Sequence, residues 1–190
     1  MTDSAPLKRA YVTRAGEKLA FALDRFGVSP DGWVCADLGC HAGGFTDCLL
    51  QRGAARVYSV DTGHNILDWN LRTDARVVLM ERTNALHVEL PEAVDLVTVD
   101  VGWTPQRLVL PHARTLAKAG GTIISLLKPH YEARPEERKG GKVRDGCDAA
   151  IVARTLEDLA ALGIEVAQVA ESPLTGGKAK NKEFLLRVRT

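Results

Sequence analysis

Apolar positions along the chain alternate between two periods, and the alternation predicts its elements in order. Residues 11–28 repeat Leu19, Ala22, Leu23 and Phe26 at helical spacing, and Gly27 supplies a stop. The run into Leu38 is continuous and apolar, as a strand buried on both faces should be. Gly39, Gly43 and Gly44 then turn the chain into a helical pattern beginning at Phe45 and ending near Gly53. Further short apolar runs at residues 56–60, 77–80, 94–99 and 122–127 predict four more strands. A helix at residues 106–118 is broken by Gly120 and Gly121. Residues 129–146 shift to Pro, Gly and alternating charge and predict a mobile loop. A helix at 147–162 and strands at 164–169 and 183–188 complete the order. Strands separated by crossover-length segments predict an α/β, doubly wound, mostly parallel sheet whose ligands lie outside the strands' carboxyl ends.

That rule gives the polar residues a common address. Asp37, Asp61, the cluster 81–84, Asp100 and Lys128 all stand at carboxyl ends of predicted strands, so they should converge along one edge. The turn in residues 34–47, VCADLGCHAGGFTD, spaces its glycines as Gly-x-x-x-Gly-Gly. This differs from the Gly-x-Gly-x-x-Gly of a dinucleotide site, disfavours an NAD-dependent oxidoreductase and favours another nucleoside cofactor. An acid such as Asp61, ending the second strand, is placed to accept hydrogen bonds from ribose hydroxyls.

Composition narrows the classes without choosing among them. A chain of 190 residues with 45% apolar content suits one domain spanning residues 1–190 with a helical extension before its first strand. A net charge of +1 announces no nucleic-acid partner, so any such partner must meet a local basic patch. Cys35, Cys40, Cys48 and Cys147 lack metal-finger spacing, and no metal site is expected; reduced thiols and a cytoplasmic location are. The first ten residues, MTDSAPLKRA, carry no signal-peptide core, and no run is long enough to span a membrane.

Taken as an ordered set, YVTRAGEKL, DLGCHAGGFTDCLLQRGAARVYSVD, ERTNA, VDLVTVD, LLKPHYEA, GGKVRD and NKEFLL resemble the FtsJ-like ribose methyltransferases, most closely the TlyA type, from about Tyr11 to Arg189. The resemblance implies a seven-stranded methyltransferase sheet of the Rossmann-like type and S-adenosyl-L-methionine as cofactor. It also implies 2′-O-methylation of RNA, with ribosomal RNA or a ribosomal subunit as the partner. A Lys-Asp-Lys-Glu tetrad carries over onto Lys18, Asp100, Lys128 and Glu183. Asp37, Gly39, Cys40, His41, Gly43, Gly44 and Phe45 would shape the methionine side of the cofactor pocket, together with Asp100; Asp61 would hold the ribose and Asn84 would sit near the adenine.

The tetrad also makes physical sense. A ribose hydroxyl is a poor nucleophile, and attack on a sulfonium methyl needs its proton weakened while the reacting atoms are held in line. Two lysines close together and partly desolvated disfavour double protonation, and Asp100 and Glu183 would orient them. Lys128 is the expected proton acceptor or hydroxyl-orienting group, with Lys18 tuning it and helping to place substrate. Because Glu183 begins the last strand, it reaches the carboxyl edge only if that strand runs antiparallel to the rest.

The chain departs from the family at the flanks of these motifs. His41 and Ala42 stand where the family usually shows Ser-Thr, Gly102 and Trp103 where it shows Ser-Phe, and His130 and Tyr131 where it shows Gln-Phe. Only ten residues precede the matching region, where TlyA-type proteins usually carry a small RNA-binding module, so substrate capture is expected to fall to other surfaces. Lys8, Arg9 and Arg14, the run from Arg134 to Arg144, and Lys178, Lys180 and Lys182 are candidate phosphate contacts. Trp103 is either a stacking surface or core; His41 either touches the cofactor turn or faces solvent, and His130 either contacts substrate or serves structure. The altered flanks also permit a non-catalytic S-adenosylmethionine- or RNA-binding protein derived from the family. A membrane-active protein, suggested by the haemolysin label on some TlyA-type members, lacks any spanning segment or strongly basic amphipathic helix.

Overall fold

Strands enclosed on both faces need apolar side chains in both directions, and the early runs meet that demand. In β1 (Val34–Leu38) Cys35 packs with one buried cluster while Ala36 and Leu38 pack with the other. The computed structural model describes residues 10–177 and 179–190. Around β1 the chain forms α1 (Ala15–Phe26), α2 (Gly44–Gln51), β2 (Arg56–Val60), α3 (Trp69–Arg72), β3 (Val77–Met80), β4 (Val94–Val99), α4 (Gln106–Leu116) and β5 (Ala117–Leu127). Beyond these come α5 (Pro129–Glu132), the hairpin β6 (Arg138–Lys139) and β7 (Lys142–Val143), α6 (Asp148–Ala161), β8 (Val166–Glu171) and β9 (Phe184–Arg189).

Seven strands pair in the order β3-β2-β1-β4-β5-β9-β8. The first five are mutually parallel, and β9 runs antiparallel to both β5 and β8, as the position of Glu183 required. Helices α1 and α2 bury Leu19, Leu23, Phe45 and Leu49 on one face, and α4 and α6 bury Val109, Leu110, Ile151 and Leu159 on the other side of the chain's core. The sheet is therefore doubly wound and mostly parallel.

Boundaries differ from the sequence expectation where a side chain or a register shift intervenes. Helix α1 starts at Ala15 because residues 11–14 form a turn whose Val12 amide donates to Asp47 Oδ2 at 2.8 Å. Strand β5 begins at Ala117, before the two glycines, and its pairing with β4 slips between Val94 and Leu96 to accommodate Gly120 at φ 75°. Helix α3 has only four residues, too few for a periodic signal, and depends on Asp68 accepting from the Asn70 amide at 2.9 Å. Strand β8 covers Val166–Glu171, so Ile164 packs in the core ahead of it.

The segment expected as a loop contains α5, a short 3₁₀ turn at Pro135–Glu137 and the β6–β7 hairpin. It is tied down by Arg154, which donates through both terminal nitrogens to Glu137 at 2.7 and 2.8 Å. Those donated hydrogen bonds hold the Glu137 carboxyl well below its usual range, at about 2.

At the carboxyl edge β1 and β4 come very close. Gly39 sits at φ 86°, its amide donates to Val60 O at 2.8 Å, and a Cβ added to it would lie 2.6 Å from the Asp100 carbonyl oxygen. Gly39→Ala is expected to cost on the order of 2 kcal/mol or more in urea unfolding, since neither the dihedral nor the neighbouring backbone can yield cheaply.

Candidate active site

The divergence of the chain at β1 and β4 opens a cavity of 410 Å³ outside the strand ends. Gly39, Cys40, His41, Gly44, Phe45, Asp61, Asn84 and Asp100 line it, so eight of the ten expected cofactor residues share one wall. Asp61 is held in place by two amides, accepting from His41 N at 2.9 Å and Gly63 N at 2.7 Å. His41 takes φ 47° to make its contact. Asn84 Oδ1 accepts from the Leu86 amide at 2.9 Å, an Asx turn that presents the residue to the cavity. Of the 81–84 cluster, Thr83 and Asn84 line the cavity, whereas Glu81 pairs with Arg72 and so belongs to the scaffold.

Two expected cofactor residues stand behind the wall. Gly43 precedes α2 at φ 99°, and a Cβ there would meet Leu71 Cδ1 at 2.3 Å, so it shapes the turn without lining the cavity. Asp37 is fully buried, accepting from Thr46 Oγ1 at 2.7 Å and Thr98 Oγ1 at 3.1 Å, and Thr46 in turn meets Ser59 at 2.8 Å. Burial pushes the Asp37 carboxyl up to about 7, against the two threonine hydrogen bonds, which act the other way. Thr62, Val101 and Thr104 also line the cavity, and no motif in the sequence singled them out; Thr13 and Ala15 line it too, from within the YVTRAGEKL motif.

A second cavity of 230 Å³ is lined by Lys128, Glu183, Trp103, His130, Tyr131, Arg138 and Asn181 among others. Lys128 lines both cavities and so stands where they meet. Its Nζ lies 2.5 Å from Asp100 Oδ1 and donates to Val101 O at 3.2 Å. Asp100 Oδ1 has no aligned hydrogen-bond donor, so the contact with Lys128 is one of charge more than of direction. Lys18 pairs with Glu183 in a contact where the two groups are 5% and 3% exposed. The four residues of the expected tetrad thus meet in two contacts, each joining one lysine to one carboxylate side chain. Lys18 lines neither cavity and meets Glu183, which lines the smaller one.

The aromatic alternatives resolve in the same region. Trp103 is 84% exposed and its ring lies 5.2 Å from that of Tyr131, so it is a rim residue and not core. Tyr131, noted in the sequence only as a departure from the family, has Lys128 Nζ 5.5 Å from its ring centre. His130 packs on Tyr131 at 4.1 Å, and burial, then the charges of Lys128 and Arg138, hold its imidazole below the usual value. Arg14, Arg138, Lys139, Lys142, Arg144, Lys180 and Lys182 are exposed; Lys8, Arg9 and Lys178 lie outside the described residues.

Among the described residues no group of three or more His, Cys, Asp or Glu is arranged to hold a metal ion. Cys35, Cys40 and Cys48 are buried free thiols; burial pushes those of Cys35 and Cys48 up to about 12 and that of Cys40 higher still, which keeps them unreactive. No helix among the described residues is long and apolar enough to cross a membrane. The donor set of the larger cavity suits an adenosyl cofactor with a cationic centre: a fixed carboxylate at Asp61 for a diol, and Asp100 with an oxygen lacking an aligned donor.

The sequence model of the FtsJ-like methyltransferases matches residues 11–189. Over 184 residues the chain is 43% identical to YqxC of Bacillus subtilis, a candidate rRNA methyltransferase, covering 94% of this chain and 65% of that protein. It is 39% identical over 199 residues to TlyA of Mycobacterium tuberculosis, a 16S/23S rRNA (cytidine-2′-O)-methyltransferase, covering all of this chain and 71% of that one. The chain thus spans about two thirds of the length of these relatives. A candidate hemolysin from Lactococcus lactis superposes with a TM-score of 0.90 at 35% identity, over 96% of this chain and 89% of that one. Aeropyrum pernix fibrillarin, solved with S-adenosyl-L-methionine, shares the fold at a TM-score of 0.65 and 20% identity, over 96% and 85% of the two chains.

Two variants test the buried charges. Lys18→Met should destabilise the fold by about 3–5 kcal/mol in urea unfolding by stranding Glu183, and adding Glu183→Leu should recover most of that loss. For Asp37, a folded carboxyl titrating above its unfolded value means that the native state binds the extra proton. Stability then falls as pH rises between the two values, and the cost is complete above about 7. Asp37→Asn should flatten that decline, by on the order of 3 kcal/mol between about pH 5 and about pH 8 in paired urea titrations.

Proposed function

This chain belongs to the FtsJ-like methyltransferase family, and from that premise we propose that it transfers the methyl group of S-adenosyl-L-methionine to a ribose 2′-hydroxyl of ribosomal RNA. The observation that carries the proposal is the place of Lys128. It stands at the junction of the two cavities, with Asp100 beside it in the larger and Glu183 facing the smaller.

In the larger cavity Asp61 would accept from the ribose hydroxyls of the cofactor and Asn84 would flank its adenine, while the turn from Gly39 to Phe45 encloses the methionine end. Bound there, the cofactor supplies an electrophilic methyl group on a cationic sulfur. The smaller cavity admits the RNA ribose. Lys128, fixed by Asp100 and Val101 O, donates to the hydroxyl oxygen and holds it on the line of attack. That fixation makes orientation its part in the chemistry. Once the oxygen has been alkylated its proton becomes strongly acidic, so a carboxylate is base enough to receive it, and Asp100, beside Lys128 in the larger cavity, is the nearest to hand. Glu183, fixed by Lys18, borders the other side of the ribose as a second acceptor. Trp103 and Tyr131 at the rim offer aromatic faces to a base drawn out of its stack.

Lys128→Ala should lower transfer from labelled S-adenosyl-L-methionine to 16S or 23S rRNA, free or in subunits, by about 100-fold or more. Cofactor binding by calorimetry should stay within a few-fold of the unmodified protein. A folded variant that turns over normally removes Lys128 from the mechanism, and label mapped to a base in place of a ribose refutes the 2′-O assignment.

A further inference from the structure

The smaller cavity has one wall made by the β6–β7 hairpin, whose sequence Arg138-Lys139-Gly140-Gly141-Lys142-Val143 carries three cations in six residues. Lys139 pairs with Lys142 across a two-residue turn in which Gly140 and Gly141 take φ 56° and 79°, values that glycine adopts at little cost. A two-stranded ribbon of this length is not stable alone. Asn181 holds it from outside: its Oδ1 accepts from Val143 N and its Nδ2 donates to Gly141 O, both at 3.0 Å. Asn181 is 6% exposed and stands two residues before Glu183, and its carbonyl accepts from Gly176 N at 2.8 Å. One buried amide therefore clamps the basic hairpin to the strand entry that carries the tetrad carboxylate.

Charge matching picks out one residue on this hairpin. In the smaller cavity Lys128 is matched by Asp100 and Glu183 by Lys18. Arg138 also lines the cavity, is close enough to His130 for its charge to act there, and has no carboxylate partner among the described residues. A guanidinium without a counter-ion, on the wall of a cavity whose other end orients a ribose hydroxyl, presents a fork of donors suited to a phosphate. In RNA the 2′-hydroxyl is vicinal to the oxygen bearing the 3′-phosphodiester, so a chain nucleotide brings a phosphate with it.

We propose that Arg138, presented by the hairpin that Asn181 clamps, binds the backbone phosphate flanking the ribose to be methylated, so that the smaller cavity accepts a nucleotide within an RNA chain. Asn181 is a positioning residue for that contact. The proposal rests on the RNA methyltransferase reading above.

The test measures initial rates of transfer to 16S and 23S rRNA at several salt concentrations for the unmodified protein, Arg138→Gln, Arg138→Lys, Lys139→Gln and Asn181→Ala. Arg138→Gln should raise the KM for RNA about tenfold with kcat within a few-fold, and reduce the slope of log affinity against log salt by about 0.7. Arg138→Lys should restore the salt slope, because the charge remains, while Asn181→Ala should raise KM in the same direction with cofactor binding unchanged. Lys139→Gln, outside the cavity lining, should move KM by less than about threefold. An unchanged KM and salt slope in Arg138→Gln overturns the proposal while the methyltransferase reading stands. An equal effect of Lys139→Gln also overturns it, since the hairpin would then be a diffuse basic surface. An unmodified protein that binds S-adenosyl-L-methionine but methylates neither RNA overturns both.

Discussion

Everything at the working edge of this protein depends on how closely β1 approaches β4. From β1 the chain builds outward through β2 and β3, then returns to the other side of β1 with β4, so the loops leaving these two neighbours diverge. Divergence opens the larger cavity, and Gly39, against the Asp100 carbonyl, sets its floor. A side chain at that point would push the strand ends apart and carry Asp100 away from Lys128. The glycine-rich turn is thus as much a packing device between strands as a surface for a ligand, and its two duties fall on different residues. Gly39 and Gly44 line the cavity; Gly43 accommodates Leu71 behind it.

Charge is handled in this site by pairing. Lys18 and Glu183 lie 165 residues apart in sequence and nearly free of water, joining α1 to the entry of β9. A buried pair of this kind contributes little net stability but is costly to break from one side, so it fixes geometry more than it strengthens the fold. Because β9 is the one reversed strand, its amino end lies at the carboxyl edge of the others, and the pair locks that reversal to the helix preceding β1. With Glu183 matched to Lys18 and Asp100 to Lys128, Arg138 is the cation of the smaller cavity free to meet a phosphate among the described residues.

Much of this was legible in the sequence because burial and topology act through patterns it records. Continuous apolar runs are what parallel strands sandwiched between helices require, and polar residues at their ends must then gather at one edge. The reversal of β9 followed from needing Glu183 at that edge. Short and irregular elements were not legible: α3, the two-residue strands of the hairpin and the slipped start of β5 are held by single side chains or by register, which leave no periodic trace.

The sequence by itself determined the strand order of events along the chain, the set of groups available for chemistry and the family to which they belong. Tertiary structure alone decided how those groups are partnered. It set Asp37 behind the cavity wall with two threonines, placed Lys18 behind Glu183, and brought Trp103 out to the rim beside Tyr131. It also tied the hairpin to Asn181 across about forty residues of chain. Contacts of this kind join residues distant in sequence through direction and distance, and composition or spacing carries no record of either.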